Sequence, residues 1–451
     1  MSDKRTLVVG PTPDYVEYIA RRFPGRALFL LSYAIQEEHG VPYLSPPDWF
    51  ESDLDSVDGC LGAVREHLRC HDQRLAGVTC YDCEWLGLTA RLAIELDLSF
   101  STPESVKRSQ NKFLAKRIWA RNGVRSPKVE LIQDGWQTLQ LVDRFRSPVI
   151  LKPVVGSGSE LMFKCHDNSD LTSAYRMIQA GLRARNRMGW LGTMERDSQQ
   201  PPATQLIVAE EYIEGREYSA DFIIDHEEIT SIRVARKIRL DSHAFGTTLA
   251  YSVPTELPGG VPLSELVIHL KKAASALGIV NAICMADFII SLGRVSMIEL
   301  TPRIGGDCLP ALVEMSCGIN TIDLALDFAE GKPVEVPSAE NWKHLVGMKL
   351  LANEAGTLAG VDVSRLEQDP RTLQVQISRN RGHRIVLPPE DHESWRLGHV
   401  IFKARPGEHL AEQCSDLSRK FITTMDKHYD RKQSLRIERC GRPTQSAGPS
   451  A

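Results

Sequence analysis

Apolar and polar positions along the first hundred residues switch repeatedly between strand-like and helix-like spacing. Leu7, Val8 and Val9 form a short apolar run that ends at Gly10-Pro11-Thr12-Pro13. Beyond it Tyr15, Val16, Ile19 and Ala20 share one face of a helix. Residues 26–31 read as a second strand, residues 76–79 as the end of a third, and residues 86–96 as the next amphipathic helix. Repeated strand–turn–helix units predict a parallel α/β sheet, because parallel strands need helical crossovers. This first unit is expected to end near Pro103.

The pattern then changes. Residues 104–121 read as one helix stopped by Asn122-Gly123. A strand over 148–153 carries Lys152, the turn Gly156-Ser157-Gly158-Ser159 follows, and strand character resumes over 161–165 before a helix at about 171–183. Residues 186–204 are polar and predict a mobile loop. Residues 206–212, 217–224 and 229–239 read as successive antiparallel strands, and 263–277 as a helix closed by Gly278. Residues 282–290 and 295–300 predict a strand pair joined by Leu292-Gly293-Arg294, with a helix at 322–329. In the last hundred residues 373–377 and 399–403 are strand-like and 410–425 helical, while the basic, then Ser/Gly/Pro-rich segment 431–451 is expected to be disordered.

Composition narrows the class. A chain of 451 residues exceeds one ordinary core, and 42% hydrophobic with 25% charged residues is the balance of a soluble globular protein. The net charge of -4 argues against a nucleic-acid binder. No apolar run approaches the ~20 residues needed to span a bilayer. The N-terminus leads straight into a strand rather than a signal-peptide core, so a cytoplasmic protein without membrane contact is expected. The 10 cysteines show no framework spacing and are expected to be reduced.

Three features carry chemistry. There is no G-x-x-x-x-G-K-[ST] loop and no H-R-D/D-F-G pair, which excludes P-loop NTPases and protein kinases. The Gly156–Ser159 turn after Lys152 could fold over phosphates and offer backbone N–H groups, although an ordinary hairpin has the same pattern. Glu210, Glu211, Glu214 and Glu217 surround a strand-to-strand connection and suit a nucleoside base and ribose, or simply a solvated turn. Asp287 and Glu299 lie on the two strands of one hairpin, so both carboxylates can converge on a metal ion. Acids embedded in apolar strands are costly unless paired or coordinated, or unless they face water at an edge.

In this order and spacing the features resemble the ATP-grasp superfamily, over roughly residues 1–425. The segment Ile298-Glu299-Leu300-Thr301-Pro302-Arg303-Ile304-Gly305-Gly306-Asp307 resembles the carboxylate–amine ligase branch that includes L-amino acid (dipeptide) ligases. Arg381-Gly382-His383 and Arg396-Leu397-Gly398-His399-Val400 are similar to its C-terminal domain. The resemblance implies an α/β and α+β multidomain chain. Its parts would be a preATP-grasp Rossmann-like domain (1–105), an ATP-grasp domain (106–335, with a lid at about 148–213), a small C-terminal domain (336–430) and the tail. It implies ATP with Mg²⁺ or Mn²⁺, small carboxylate and amine substrates, amide formation through an acyl phosphate, and dimerisation through the first two domains.

Residue by residue, the resemblance gives Lys112 and Lys152 to the phosphates and Gly156, Ser157, Gly158 and Ser159 to the mobile loop. It gives Glu210 and the Ile213 backbone to adenine, with Glu211 beside them, and Glu217 to ribose. Asp287 and Glu299 become metal ligands, Arg303 the group that stabilises the phosphoryl, and His243 a contact to phosphate or substrate. Two departures stand out: Thr301 replaces a common Asn, and Met285 an arginine of some relatives. Cys80-x-x-Cys83 lacks a partner motif, so redox or zinc chemistry is not expected. His67 and His71 read as an exposed helix face. The competing readings are an ATP-grasp carboxylase or purine-type ligase, and an inactive ATP-binding regulator; no biotinyl segment such as Ala-Met-Lys-Met is present.

Overall fold

The computed structural model describes residues 3–33, 44–139, 141–184, 205–226, 228–336 and 341–426; the expected loop 186–204 and tail 431–451 lie outside the described residues. The chain divides into two compact units, Met1–Gly347 and Met348–Ala451. The first opens with β1 (Asp3–Val9), α1 (Pro13–Arg22), β2 (Ala27–Ser32), β3 (Trp49–Ser52), α2 (Val57–His71), β4 (Gln73–Thr79) and α3 (Leu86–Glu95). The strands are parallel, in the order β3-β2-β1-β4. Leu7, Val9, Leu28 and Leu30 enter one core, and Val8, Phe29 and Leu31 the other, so both faces of the sheet are buried. β3 and α2 escaped the sequence pattern. His67 is not exposed as expected: it is buried, 3.1 Å from the Pro47 carbonyl and stacked on Phe50.

The helix expected over 104–121 is two helices, α4 (Pro103–Gln110) and α5 (Lys112–Arg121). Asn111 breaks it with extended backbone (φ -91°, ψ 101°), and its side chain caps α5 by accepting from the Leu114 N–H. The break lets the Lys112 N–H donate to the Val154 carbonyl at 3.0 Å, joining α5 to the chain after Lys152.

Next come β5 (Val129–Ile132), α6 (Leu141–Phe145), β6 (Val149–Pro153), β7 (Phe163–Cys165), α7 (Asn168–Ala184) and β8 (Ile207–Glu211). These strands form an antiparallel sheet, β5-β8-β6-β7, under Leu171, Ala174, Ile178 and Leu182 of α7. The expectation that 206–212 pairs with 217–224 fails, because β8 belongs to this sheet. The chain crosses at Tyr212–Gly215 into a second sheet that includes β9 (Arg216–Asp225), β10 (Glu228–Ile238), β11 (Ala250–Val253), β12 (Asn281–Ser291) and β13 (Arg294–Thr301), adjacent in the order β13-β12-β9-β10-β11.

One face of this second sheet is apolar: Tyr218, Ala220, Phe222, Ala286, Phe288, Met297 and Leu300 pack with α8 (Leu263–Leu277) and with Trp119 of α5. Trp119 is fully buried and its indole N–H donates to the Ala273 carbonyl at 3.0 Å. By strand alternation the opposite face carries Glu217, Ser219, Asp221, Arg233, Lys237 and Asp287. Helices α9 (Leu309–Cys317) and α10 (Thr321–Ala329) complete the unit. Among the described residues no single helix is long and apolar enough to cross a membrane.

β14 (Leu345–Leu351) leads into the second unit, which holds β15 (Gly356–Asp362), α11 (Ser364–Glu367), β16 (Thr372–Ile377), β17 (Arg384–Ile385), β18 (Arg396–Lys403), α12 (Leu410–Ser418) and β19 (Ile422–Met425). The helix expected over 410–425 stops at Ser418, and its last residues form β19 against β15.

Candidate active site

The site residues lie on and between the two antiparallel sheets of the first unit. Asp287 and Glu299 are direct cross-strand partners on β12 and β13. A bulge makes this so: Phe288 pairs with Met297 and Asp287 with Glu299, leaving Ile298 as the extra residue. In an uninterrupted ladder Ile298 would oppose Asp287 and Glu299 would oppose Ala286, turning the glutamate toward the apolar face. The bulge is tied down by Lys116, whose ammonium donates to the Ile298 carbonyl at 2.8 Å.

Lys116 was not singled out from the sequence, yet it is central. Its Nζ also lies 2.8 Å from Glu210 Oε1, and Lys152 Nζ lies 2.9 Å from Glu210 Oε2. Lys116, Glu210 and Lys152 are 1%, 2% and 6% exposed, so the network is cut off from water. It links α5, β8, β6 and, through Ile298, β13. Burial pushes the Glu210 carboxyl up, but the two ammonium groups outweigh it and hold the net value below the usual carboxylate range. Burial lowers Lys116, with Glu210 opposing the shift. The missed signal was spacing: Lys112 and Lys116 stand four apart on the same face of α5.

Lys112 is half-buried and donates from Nζ to the Gly156 carbonyl at 2.6 Å. Burial first, then repulsion from Lys152 and Lys116, lowers its ammonium to about 8 against the opposing pull of Glu299 and Glu210. Gly156, Ser157 and Gly158 are exposed, with Gly156 (φ 143°) and Gly158 (φ 68°) in positive-φ backbone that glycine tolerates. Ser159 is left-handed (φ 64°) and donates from Oγ to the Gly246 carbonyl at 2.9 Å. Gly246 has positive φ (89°), and a Cβ there would lie 3.0 Å from Ser159 Cβ, so glycine suits this close approach. The contact brings the glycine turn onto the segment that carries half-buried His243, whose pKa burial lowers. Phe245 of that segment meets the Tyr212 ring edge-on at 6.3 Å, and Lys164 caps Tyr212 at 3.7 Å.

Ile213 is half-buried in the crossing between the sheets. Glu211 points away from Glu210, with its Oε2 3.5 Å from the Lys128 N–H. Glu217 pairs with Arg239 at 2.6 Å, and Asp287 with Lys237 at 2.6 Å. Lys237 is a second cation that the sequence reading missed; burial works against its charge, but Asp287 and Glu217 dominate and its pKa is raised.

Arg303 donates from Nη1 to the Ile304 carbonyl at 2.6 Å and from Nε to Cys83 Sγ at 3.0 Å. Burial disfavours its charge, yet Cys83 and Tyr15 more than compensate and the guanidinium stays protonated. Glu299 adds negative potential at Cys83, the Arg303 partner, and at Lys112. Cys83 is thus a neighbour of the expected phosphoryl-binding arginine. Arg303 and the Thr79–Cys80 end of β4 also border a cavity of about 40 Å³.

Among the described residues no group of three or more His, Cys, Asp or Glu is arranged to hold a metal alone. Asp287 and Glu299 still fit Mg²⁺, which takes one or two carboxylates and completes its octahedron with phosphate oxygens and water.

Residues 145–311 match the ATP-grasp domain family. The chain carries an ATP-grasp domain. The match includes Lys152, the glycine turn, Glu210, Asp287, Glu299 and Arg303, while Lys112 and Lys116 lie ahead of it. The chain superposes on an L-amino acid ligase from Bacillus licheniformis with a TM-score of 0.74 and 20% identity, covering 95% of this chain and 100% of that one. An uncharacterized protein of Sinorhizobium fredii is 21% identical over 350 residues, 77% of this chain and 68% of that protein. Dapdiamide A synthase of Enterobacter agglomerans is 23% identical over 239 residues, and the match spans about half of each chain, 52% in both.

Proposed function

We propose that the ATP-grasp chain is an ATP-dependent carboxylate–amine ligase that forms an amide bond, with an amino acid or similar small acid as the activated substrate. The observation that carries the reading is the cross-strand pair Asp287 and Glu299 with Arg303 four residues on along the chain. The names of the L-amino acid ligase and Dapdiamide A synthase support the same class.

The reaction assigned to these residues has two steps. A substrate carboxylate oxygen attacks the γ-phosphorus of ATP, the bond to the β-phosphate oxygen breaks, and ADP leaves. An amine then attacks the acyl phosphate carbonyl, and phosphate leaves with the new amide formed and the amine proton released. Lys112 and Lys152 would hold the phosphates, and Arg303 would stabilise charge spread over the transferring oxygens. The Gly156–Ser159 turn, seated on the His243 segment, would keep water from the acyl phosphate. Mg²⁺ held by Asp287 and Glu299 would supply further positive charge against the phosphate oxygens.

The test is the purified chain with ATP, Mg²⁺ and pooled amino acids, followed by ADP and phosphate assays and product mass. Substrate-dependent ADP with an amide product is expected. AMP and pyrophosphate, or tight ATP binding without turnover, would overturn the ligase reading, the latter in favour of a regulator.

A second expectation concerns protons. Lys112 sits near 8 without nucleotide, and adjacent phosphates would raise it. Binding of ATP at pH 8 should therefore take up roughly half a proton. Calorimetry in buffers of different ionisation enthalpy reads this uptake, and Lys112→Met should abolish it.

A further inference from the structure

An ion pair outside the expected site residues holds the turn that follows Arg303. Arg233 on β10 and Asp221 on β9 are cross-strand partners. Arg233 Nε donates to Asp221 Oδ2 at 2.9 Å and Nη2 to Oδ1 at 2.8 Å, while Nη1 and Nη2 also donate to the Ser219 carbonyl and Oγ at 3.0 and 3.2 Å. The two side chains are 0% and 1% exposed. Asp221 Oδ1 accepts a further hydrogen bond, from the Gly305 N–H at 3.1 Å. A Cβ on Gly305 would lie 2.4 Å from Arg233 Nη2, so the backbone reaches the pair only because residue 305 is glycine.

A buried ion pair is seldom a net source of stability, since desolvation offsets the attraction and an apolar pair of similar volume often does as well. Packing cannot replace the acceptor, however. Asp221 presents a fixed oxygen to one backbone amide, two residues beyond Arg303. On the other side Arg303 is tied to Ile304 and Cys83. The turn is therefore held from the sheet below and the guanidinium from its own edge.

We propose that Asp221, locked by Arg233, is a positioning residue: it fixes the Arg303–Gly305 turn and so aims the Arg303 guanidinium at the transferring phosphoryl group. The inference rests on the role given to Arg303 above. Two charge-free replacements isolate the acceptor. Asp221→Asn/Arg233→Met keeps a carbonyl oxygen for the Gly305 amide, and Asp221→Leu/Arg233→Met removes it. With ATP, Mg²⁺ and pooled amino acids, the leucine version should show a kcat roughly tenfold to a hundredfold below the asparagine version. The KM for ATP should be equal in both.

Equal kcat in the two folded proteins would overturn the proposal. Should neither variant fold, hydrogen exchange on the wild-type chain decides. The Gly305 amide should be protected by roughly two orders of magnitude or more, and an unprotected amide would overturn the clamp. The two readings separate cleanly. Undiminished ADP release by Arg303→Ala sinks the role of Arg303, whereas an inactive Arg303→Ala beside equal Asn and Leu variants sinks only the positioning. A wild-type chain that releases no ADP overturns both.

Discussion

Arg303→Ala is expected to lower kcat for amino-acid-dependent ADP release by roughly a hundredfold to a thousandfold, with ATP affinity almost unchanged. The guanidinium lies outside the Lys116–Glu210–Lys152 network, and its partners are the Ile304 carbonyl and Cys83. Its charge is therefore available to oxygens that gain charge during phosphoryl transfer, and an interaction realised only in the transition state acts on kcat. Arg303→Lys should recover little, because a point charge cannot reproduce the planar fork that meets two oxygens at once. Steady-state kinetics with a nucleotide-binding isotherm checks the split. Equal losses in kcat and in ATP affinity would show that Arg303 acts in ground-state binding.

The second large effect concerns stability. Glu210→Ala should destabilise the first unit by about 3–5 kcal/mol, because it strands two buried ammonium groups without a counter-charge. Lys116→Met in the same chain should recover part of the loss, since one stranded charge is removed. The pH dependence has a definite sign. Glu210 is held below its ordinary value when folded, so its stabilisation is complete above the ordinary carboxylate pKa. It disappears as pH falls through the lowered folded value. Urea unfolding should thus show the gap between wild type and Glu210→Gln constant from neutral pH down to about pH 5 and narrowing only below that. A gap independent of pH would mean that Glu210 contributes through packing rather than charge.

The expected site residues were legible to different degrees, for physical reasons. Asp287 and Glu299 stood out because charged residues in apolar strands are rare, and Lys152 because it closes an apolar run before a glycine turn. Lys116, Lys237, Asp221 and Arg233 did not stand out. Each occupies a position where a surface charge would look the same in sequence; only the packing of other elements buries Lys116, Asp221 and Arg233 and half-buries Lys237. The helix break at Asn111 was missed for a similar reason. Its side chain caps locally, but the Val154 carbonyl that receives the Lys112 amide is some forty residues away. The pairing of β8 was misjudged because short loops favour hairpins, whereas its partners β5 and β6 precede it by many residues.

By itself the sequence determined the strand–helix repeats at the N-terminus, the glycine turn after Lys152 and the hairpin that carries two carboxylates ahead of Arg303. These follow from local periodicity and turn chemistry, which a linear chain displays directly. The tertiary structure alone decided that Ile298 bulges, that Glu299 consequently shares the Asp287 face, and that Lys116 fixes the bulge through its carbonyl. Strand alternation has period two, so one extra residue reverses every side chain beyond it. Whether that residue is accommodated depends on a partner from another helix, which no single strand encodes.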